Sequence, residues 1–308
     1  MKKIIILAAI AASTFFASCQ KEGSEAKEVK MVHCTFTADI DFEDADPQSK
    51  AVLSGLNVAF SPGDVINFVE AKKQNPSTLY PLTTTVGGTS AVFEGDLPDG
   101  FPTTTHAHVV FCPSATKVMQ ANNATSIRFS LPAIQTGVKD NVHKDALLFG
   151  ATTNKPTPTL NVETMEIKFS ILCALLKVKV TRNDIKSIIL DSDVDGSRPT
   201  GSGNDNAPCL VSDYTNFNLN TDNFSVVSQV ATRMDYTVTL QPEDPKTVFE
   251  PGYYYFCIPT KSEAQGSRSL GKIRFTYTKT DDSTIVVESK NAFTIASGKI
   301  YNLPVSDE

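Results

Sequence analysis

Ile167-Lys168-Phe169-Ser170-Ile171 and, a little further on, Leu176-Lys177-Val178-Lys179-Val180 alternate apolar and polar side chains without a break. Successive residues of a strand face opposite sides, so a period of two marks a half-buried strand, whereas a helix would repeat its apolar residues every three or four. The same alternation recurs outward in both directions. Upstream it runs through Cys34-Thr35-Phe36-Thr37-Ala38-Asp39-Ile40, Val65-Ile66-Asn67-Phe68-Val69, His106-Ala107-His108-Val109-Val110-Phe111 and Ser126-Ile127-Arg128-Phe129-Ser130-Leu131; downstream it runs through Tyr236-Thr237-Val238-Thr239-Leu240, Tyr253 to Ile258, Lys272 to Tyr277 and Ser283 to Val287. Turn residues separate these runs at Pro62-Gly63-Asp64, Gly87-Gly88, Asp99-Gly100, Asp195-Gly196, Pro251-Gly252 and Ser297-Gly298. No stretch carries a convincing amphipathic helical face. The pattern predicts an all-β protein of antiparallel sheets packed as sandwiches. Pro156 and Pro158, in the segment Thr152 to Thr159, resist helix and central strand alike and place a division there. Two domains follow, an N-terminal sandwich over 31–156 and a C-terminal one over 157–308, with no internal repeat strong enough to argue duplication.

The N-terminus sets an address. Lys2 and Lys3 precede an apolar run from Ile4 to Phe16 that has the length of a signal-peptide core and is too short to span a bilayer. Phe16-Ala17-Ser18-Cys19 matches a lipobox, although Phe stands where Leu is usual. Residues 1–18 therefore read as a lipoprotein signal peptide, with Cys19 as the lipidation site. Each buried methylene contributes about 0.8 kcal/mol, so several acyl chains, such as palmitate, would hold the protein on a membrane without spanning it. Residues 19–30, polar and charged, read as a flexible tether.

Composition narrows the function. Of 308 residues, 41 % are hydrophobic and 20 % charged, as in a folded soluble domain. The formal charge of −6 becomes two units more negative once Lys2 and Lys3 leave with the signal, which gives nucleic acid no electrostatic footprint. With four His and no Trp, imidazole catalysis and sugar stacking are poorly provided for. Cys19 aside, Cys34, Cys112, Cys173, Cys209 and Cys257 are odd in number, lack CxxC spacing and mostly sit in apolar runs, so they read as buried thiols.

Individual constellations are weak. His106 and His108 share a strand face with Cys112, a possible start of a metal site that lacks a further ligand nearby and reads as structural. Asp191-Ser192-Asp193-Val194-Asp195-Gly196 matches the first half of a calcium loop, but Arg198, Pro199 and Ser202 break the second half. An acidic hairpin loop is the expectation, with a weak calcium site on Asp191, Asp193 and Asp195 as the alternative. Asp41, Glu43, Asp44 and Asp46 lie in a polar turn with nothing to raise a carboxyl pKa. No nucleophile elbow, phosphate loop or zinc-protease motif is present, so no catalytic residue, cofactor or metal ligand is nominated. In Tyr253-Tyr254-Tyr255, alternation should bury at least one ring and expose another.

A set of landmarks in order carries a family resemblance: Cys19, Lys50-Ala51-Val52-Leu53, Phe60-Ser61-Pro62-Gly63-Asp64-Val65-Ile66, Phe93-Glu94-Gly95, Leu131-Pro132-Ala133-Ile134-Gln135, Phe169 to Val180, Gly252 to Pro259, and Ser297-Gly298-Lys299-Ile300-Tyr301. Together they resemble the fimbrillin family of Bacteroidales, the type V pilins and their lipoprotein relatives. The resemblance implies two transthyretin-like β-sandwich domains in tandem, a lipoprotein precursor, and assembly in which a protease removes the first strand and a strand from the next subunit fills the groove. By that resemblance Met31 to Phe42 is the removable strand and the C-terminal region up to Val305 the donor. The protease of well-known members cuts at Arg, whereas the first Arg here is Arg128 and the basic residues flanking the strand are Lys27, Lys30 and Lys50.

The sequence thus points to a surface lipoprotein of fimbrillin type, a pilus subunit or an anchor or tip, on the outer membrane and active in adhesion. Its expected partners are other fimbrial subunits, the membrane through Cys19, and a surface ligand, with no nucleic acid. The alternative is a glycan-binding outer-membrane lipoprotein, which would need an exposed aromatic platform. A β-sandwich hydrolase would need two close carboxylates in a cleft, and no such pair stands out.

Overall fold

The alternating segments become strands in the computed structural model, which describes residues 29–40, 56, 58–70, 78–101, 106–111, 120–123, 126–129, 131–143, 147, 149–154, 166–192, 194, 210–218, 225–260, 268–303 and 307. In chain order the strands are β1 (Met31–Ile40), β2 (Val65–Glu70), β3 (Thr78–Thr84), β4 (Ser90–Pro98), β5 (His106–Phe111), β6 (Gln120–Asn123), β7 (Ser126–Phe129), β8 (Ile134–Val138), β9 (Asn141–Val142), β10 (Phe149–Asn154) and β11 (Glu166–Ile171). They continue with β12 (Cys173–Val180), β13 (Ile185–Asp191), β14 (Val211–Asn218), β15 (Ser225–Asp235), β16 (Thr237–Pro242), β17 (Gly252–Pro259), β18 (Arg268–Ser269), β19 (Arg274–Lys279), β20 (Thr284–Glu288), β21 (Thr294–Ile295) and β22 (Ile300–Asn302). The described residues contain no helix, as the period of two requires.

Seven strands close on themselves in the order β1-β11-β10-β5-β2-β3-β4. Their inward residues are unusually aromatic. Phe60 packs at 5.0 Å from both Phe93 and Phe111, Phe111 lies 6.0 Å from Phe169, and Phe36 lies 4.7 Å from Phe68. Fully burying each such ring contributes about 1.5–3 kcal/mol, and a tilted or edge-on pair about 0.5–1.5 kcal/mol more. Entry into β2 is set by Ser61-Pro62-Gly63-Asp64. Pro62 holds the first central position, Gly63 supplies a φ of 90°, and the Asp64 N–H closes the turn on Ser61 O at 3.0 Å.

The second half holds a six-stranded sheet, β20-β19-β13-β16-β8-β9, and a three-stranded one, β17-β12-β22. Phe256 on β17 meets Phe275 on β19 at 5.9 Å, with Leu176, Val178, Ile188, Leu190, Val238, Leu240 and Tyr277 also buried. Lys177 and Lys179 alternate with these on β12, half-buried and exposed, as their spacing predicts. A four-stranded sheet, β15-β14-β7-β6, and the pair β18-β21 complete the described strands. Most pairings are antiparallel, but β1 with β11, β12 with β22, and β16 with β8 run parallel.

Pairing crosses the division expected at 156/157 in both directions. β11 closes the barrel against β1 and β10, whereas β7 pairs with β14 and β8 with β16. Pro156 and Pro158 lie outside the described residues. The passage between barrel and second half is instead the buried Leu172, which alone separates β11 from β12. Local alternation identifies a strand but not its neighbours, because partner choice depends on residues far away in sequence. Cys34, Cys173 and Cys257 are buried thiols, as expected, while Cys19, Cys112 and Cys209 lie outside the described residues.

Burial holds several hydroxyls in the neutral form. The Tyr254 hydroxyl, which donates to Glu250 O at 2.8 Å, is pushed by burial from 10.0 up to about 12, and burial raises Tyr277 further. A folded-state value above the unfolded one favours folding fully below pH 10 and progressively less as pH rises through the folded value. The urea midpoint should therefore hold steady to pH ~9 and fall between pH ~10 and ~12. A midpoint flat across that window would contradict the burial.

Candidate functional site

β1 is the first barrel strand in chain order and, like each strand of the closed barrel, is held by a ladder on either side. On one side it pairs antiparallel with β4 from Met31 opposite Pro98 to Asp39 opposite Ser90. On the other it pairs parallel with β11 from Thr37 opposite Glu166 to Ile40 opposite Phe169. Cys34, Phe36, Ala38 and Ile40 point inward and are buried. The outer face contributes little: His33 Nδ1 lies 3.0 Å from Asp96 Oδ1 and Lys30 Nζ 3.4 Å from Asp99 Oδ2, both in solvent. Withdrawing β1 would leave facing ladders on β4 and β11 and a groove floored by Phe68 and Phe93, which suits another extended strand with alternating apolar residues. Of the flanking lysines, Lys30 immediately precedes the strand, and Lys27 and Lys50 lie outside the described residues. A cut at Lys30 would spare β1; a cut at Lys50 would release all of 31–42.

The expected donor region is tied into its own chain. β22 lies parallel to β12, with Leu175 N–H donating to Lys299 O at 2.9 Å and Leu303 N–H to Lys177 O at 3.1 Å. Beyond it, Asp307 is fully buried. Its Oδ1 accepts from Thr181 N–H at 2.7 Å and from the Thr181 hydroxyl at 2.6 Å, and its Oδ2 accepts from Arg182 N–H at 3.0 Å. A carboxylate receiving three such bonds is a strong clasp on the β12–β13 turn. Asp307→Ala should cost about 1.5–3 kcal/mol and expose the tail to carboxypeptidase. Unchanged digestion would show that the tail is held by other means.

Two side chains close the free edge of β17 in place of a strand. Gln135 Nε2–H donates to Cys257 O at 2.8 Å while Cys257 N–H donates to Gln135 Oε1 at 2.9 Å. Similarly, Asp140 N–H donates to Tyr253 O at 2.8 Å and Tyr253 N–H to Asp140 Oδ1 at 2.9 Å. Between them Gly137 faces Phe249 and Tyr254, where a Cβ would lie 2.6 Å from a Phe249 ring carbon. The sequence missed this clamp because the local pattern is inverted: Ile134 is 60 % exposed and Gln135 is 1 % exposed.

The remaining expected residues are dispersed. His108 is buried on β5 opposite Val69 and Thr152. Asp191 ends β13 with Arg274 Nη1 at 4.0 Å, and Asp193 and Asp195 lie outside the described residues. Among the described residues no group of three or more His, Cys, Asp or Glu converges as for a metal, and no helix is long and apolar enough to cross a membrane. Of the tyrosine run, Tyr254 and Tyr255 are buried and Tyr253 is exposed, which meets the expectation of at least one buried and one exposed ring, although Tyr255 is buried despite sharing a strand face with Tyr253. Lys177 Nζ stands 4.1 Å from the Tyr253 ring centroid, so this exposed ring is already faced by a cation.

No protein-family model and no curated protein matches the chain. Among solved structures it is similar to a candidate cell adhesion protein from Bacteroides uniformis, at 12 % identity over 89 % of this chain and 93 % of that one, with a TM-score of 0.45. It is also similar to the C-terminally truncated tip fimbrial protein Mfa3 from Porphyromonas gingivalis, at 9 % identity over 87 % and 92 %, with a TM-score of 0.36. A third is a candidate polysaccharide-binding protein from Bacteroides thetaiotaomicron, at 10 % identity over 82 % and 78 %, with a TM-score of 0.35.

Proposed function

We propose that this chain is a fimbrillin-like surface lipoprotein: a pilus subunit, or the anchor or tip of a pilus, carried on the outer membrane by acyl chains on Cys19 and serving cell adhesion. In this reading it joins other fimbrial subunits by strand donation, with β1 leaving and a strand from the next subunit taking its place. The observation that supports it most is the placement of β1, the first strand in chain order of an aromatic-lined barrel, which pairs with β4 and β11 and begins next to the expected N-terminal tether. An incoming strand would restore the backbone pairing and the apolar filling that departure of β1 removes. The C-terminal region can act as donor only after β22 and Asp307 let go, so a free subunit keeps its donor strand folded away.

N-terminal sequencing of sheared surface fibres tests the exchange. Fibre protein beginning after Lys50 supports it; fibre protein that retains residues 31–42 overturns strand removal and leaves an anchor role. Membrane attachment is tested separately. Cys19→Ser should move the protein from the membrane fraction to the soluble one, and unchanged retention would sink the lipid anchor.

A further inference from the structure

At the outer end of the six-stranded sheet, β20 has β19 as its described partner, with Thr278 opposite Thr284 through Arg274 opposite Glu288 and no bulge. Lys279 N–H donates to Ser283 O and Ser289 N–H to Ile273 O, so the odd-numbered residues of this strand turn their backbone groups toward β19. Thr284, Val286 and Glu288 consequently turn theirs outward. Natural edges are commonly blunted by proline, a bulge or an inward charge. Thr284-Ile285-Val286-Val287-Glu288 has no such device: it is β-branched up to its last residue, its alternate residues Ile285 and Val287 pack on the core, and Val286 is 52 % exposed.

We infer that β20 is an interface for a second copy of this chain, the two strands pairing antiparallel about a two-fold axis at Val286. In that register Val286 faces Val286 of the mate, as an isologous contact requires. Thr284 faces Glu288 and Ile285 faces Val287, which puts a hydroxyl donor beside a carboxylate and two half-buried apolar side chains side by side. Lys290 falls opposite Asp282 of the mate, but Asp282 lies in the turn and its carboxylate already pairs with Lys186 of its own chain, so the match rests on the central residues of the strand. Each of the three outward residues gives one N–H and one C=O to the mate. Sliding by one repeat weakens the match: an axis at Glu288 sets two carboxylates face to face, each already bound by Arg274 of its own chain, and an axis at Thr284 puts the apolar Val286 against the charged Asp282. A second copy fits this edge because the edge is complementary to itself. The β17 edge is already occupied by Gln135 and Asp140, whereas β20 has no second partner among the described residues.

One short strand on each side buries less than the roughly 1,200 Å² of stable complexes, so a weak dimer with a Kd of about 10 μM to 1 mM is expected. Sedimentation velocity on the full chain carrying Cys19→Ser, from about 1 μM to 1 mM, reads this directly. Val286→Lys and Val286→Glu should each weaken association at least about tenfold, because like charges then meet on the axis, and mixing the two should restore it. Association untouched by either substitution, or lost but not restored by mixing, overturns the inference, as does an unsubstituted chain that stays monomeric throughout. Amide exchange on the unsubstituted chain needs no variant to fold. Protection at Thr284, Val286 and Glu288 should rise with concentration; protection independent of concentration would mean that the chain's own residues cover the edge, and would also overturn it.

Discussion

Gln135→Leu lowers stability by about 2–5 kcal/mol, although it replaces one side chain with another of similar bulk. The buried Gln135 amide satisfies both backbone groups of Cys257, which is itself fully buried. Leucine offers neither a donor nor an acceptor, and each buried backbone group left unmatched costs about 1–3 kcal/mol. Gln135→Glu is no rescue, because a carboxylate cannot donate to Cys257 O and its charge would be buried beside it. With a urea slope of about 2–3 kcal/mol/M, the midpoint should fall by roughly 1 M or more. Ile134→Thr at the adjacent exposed position should shift stability by no more than about 0.5 kcal/mol. If the two variants unfold at the same urea concentration, the clamp on β17 is not what holds this edge.

Phe36→Ala is the second large loss, about 3–5 kcal/mol. Its ring is 1 % exposed, lies 4.7 Å from Phe68 and sits on the first strand of the barrel. The distribution of the damage matters as much as its size. Because β1 pairs, among the described residues, with β4 and β11, amide exchange should quicken first along Phe93 to Leu97 and Ile167 to Phe169. β13 and β19, in the six-stranded sheet, should stay protected in the same sample. Uniform acceleration across both halves would show that barrel closure and second-half packing form one cooperative unit, and would weaken the case that β1 can leave while the rest stays folded.

Strand identity was legible in many of the segments where one face meets solvent, although β4, which also alternates, was not among those read as strands. The alternation of Lys177 and Lys179 with Leu176, Val178 and Val180 predicts the face of β12 correctly, whereas β17 is buried on both faces beyond Tyr253, so its tyrosine run does not sort by alternation. Sheet membership was not legible. β8 lies in the first half of the sequence yet pairs with β16, and β11, in the second half, closes the first-half barrel. Such choices arise from distant side chains fitting together, which a local period does not encode. The Gln135 clamp was hidden for a related reason. A polar residue facing inward beside an exposed isoleucine inverts the usual rule, and only the backbone of Cys257, far away in sequence, makes the inversion favourable. The clasp at Asp307 is similarly an acidic residue near a chain end until Thr181 and Arg182 are seen around it.

Leu172 gives the molecule a mechanical character. A pull entering the barrel along β11 reaches β12 through one buried residue, with no slack segment to extend first. The load then runs lengthwise along strands hydrogen-bonded on both sides, β11 between β1 and β10 and β12 between β17 and β22, so it must shear ladders side by side rather than unzip them one bond at a time. Stretched end to end, such a chain should resist at small extension and give way abruptly, behaving as a stiff link rather than a spring.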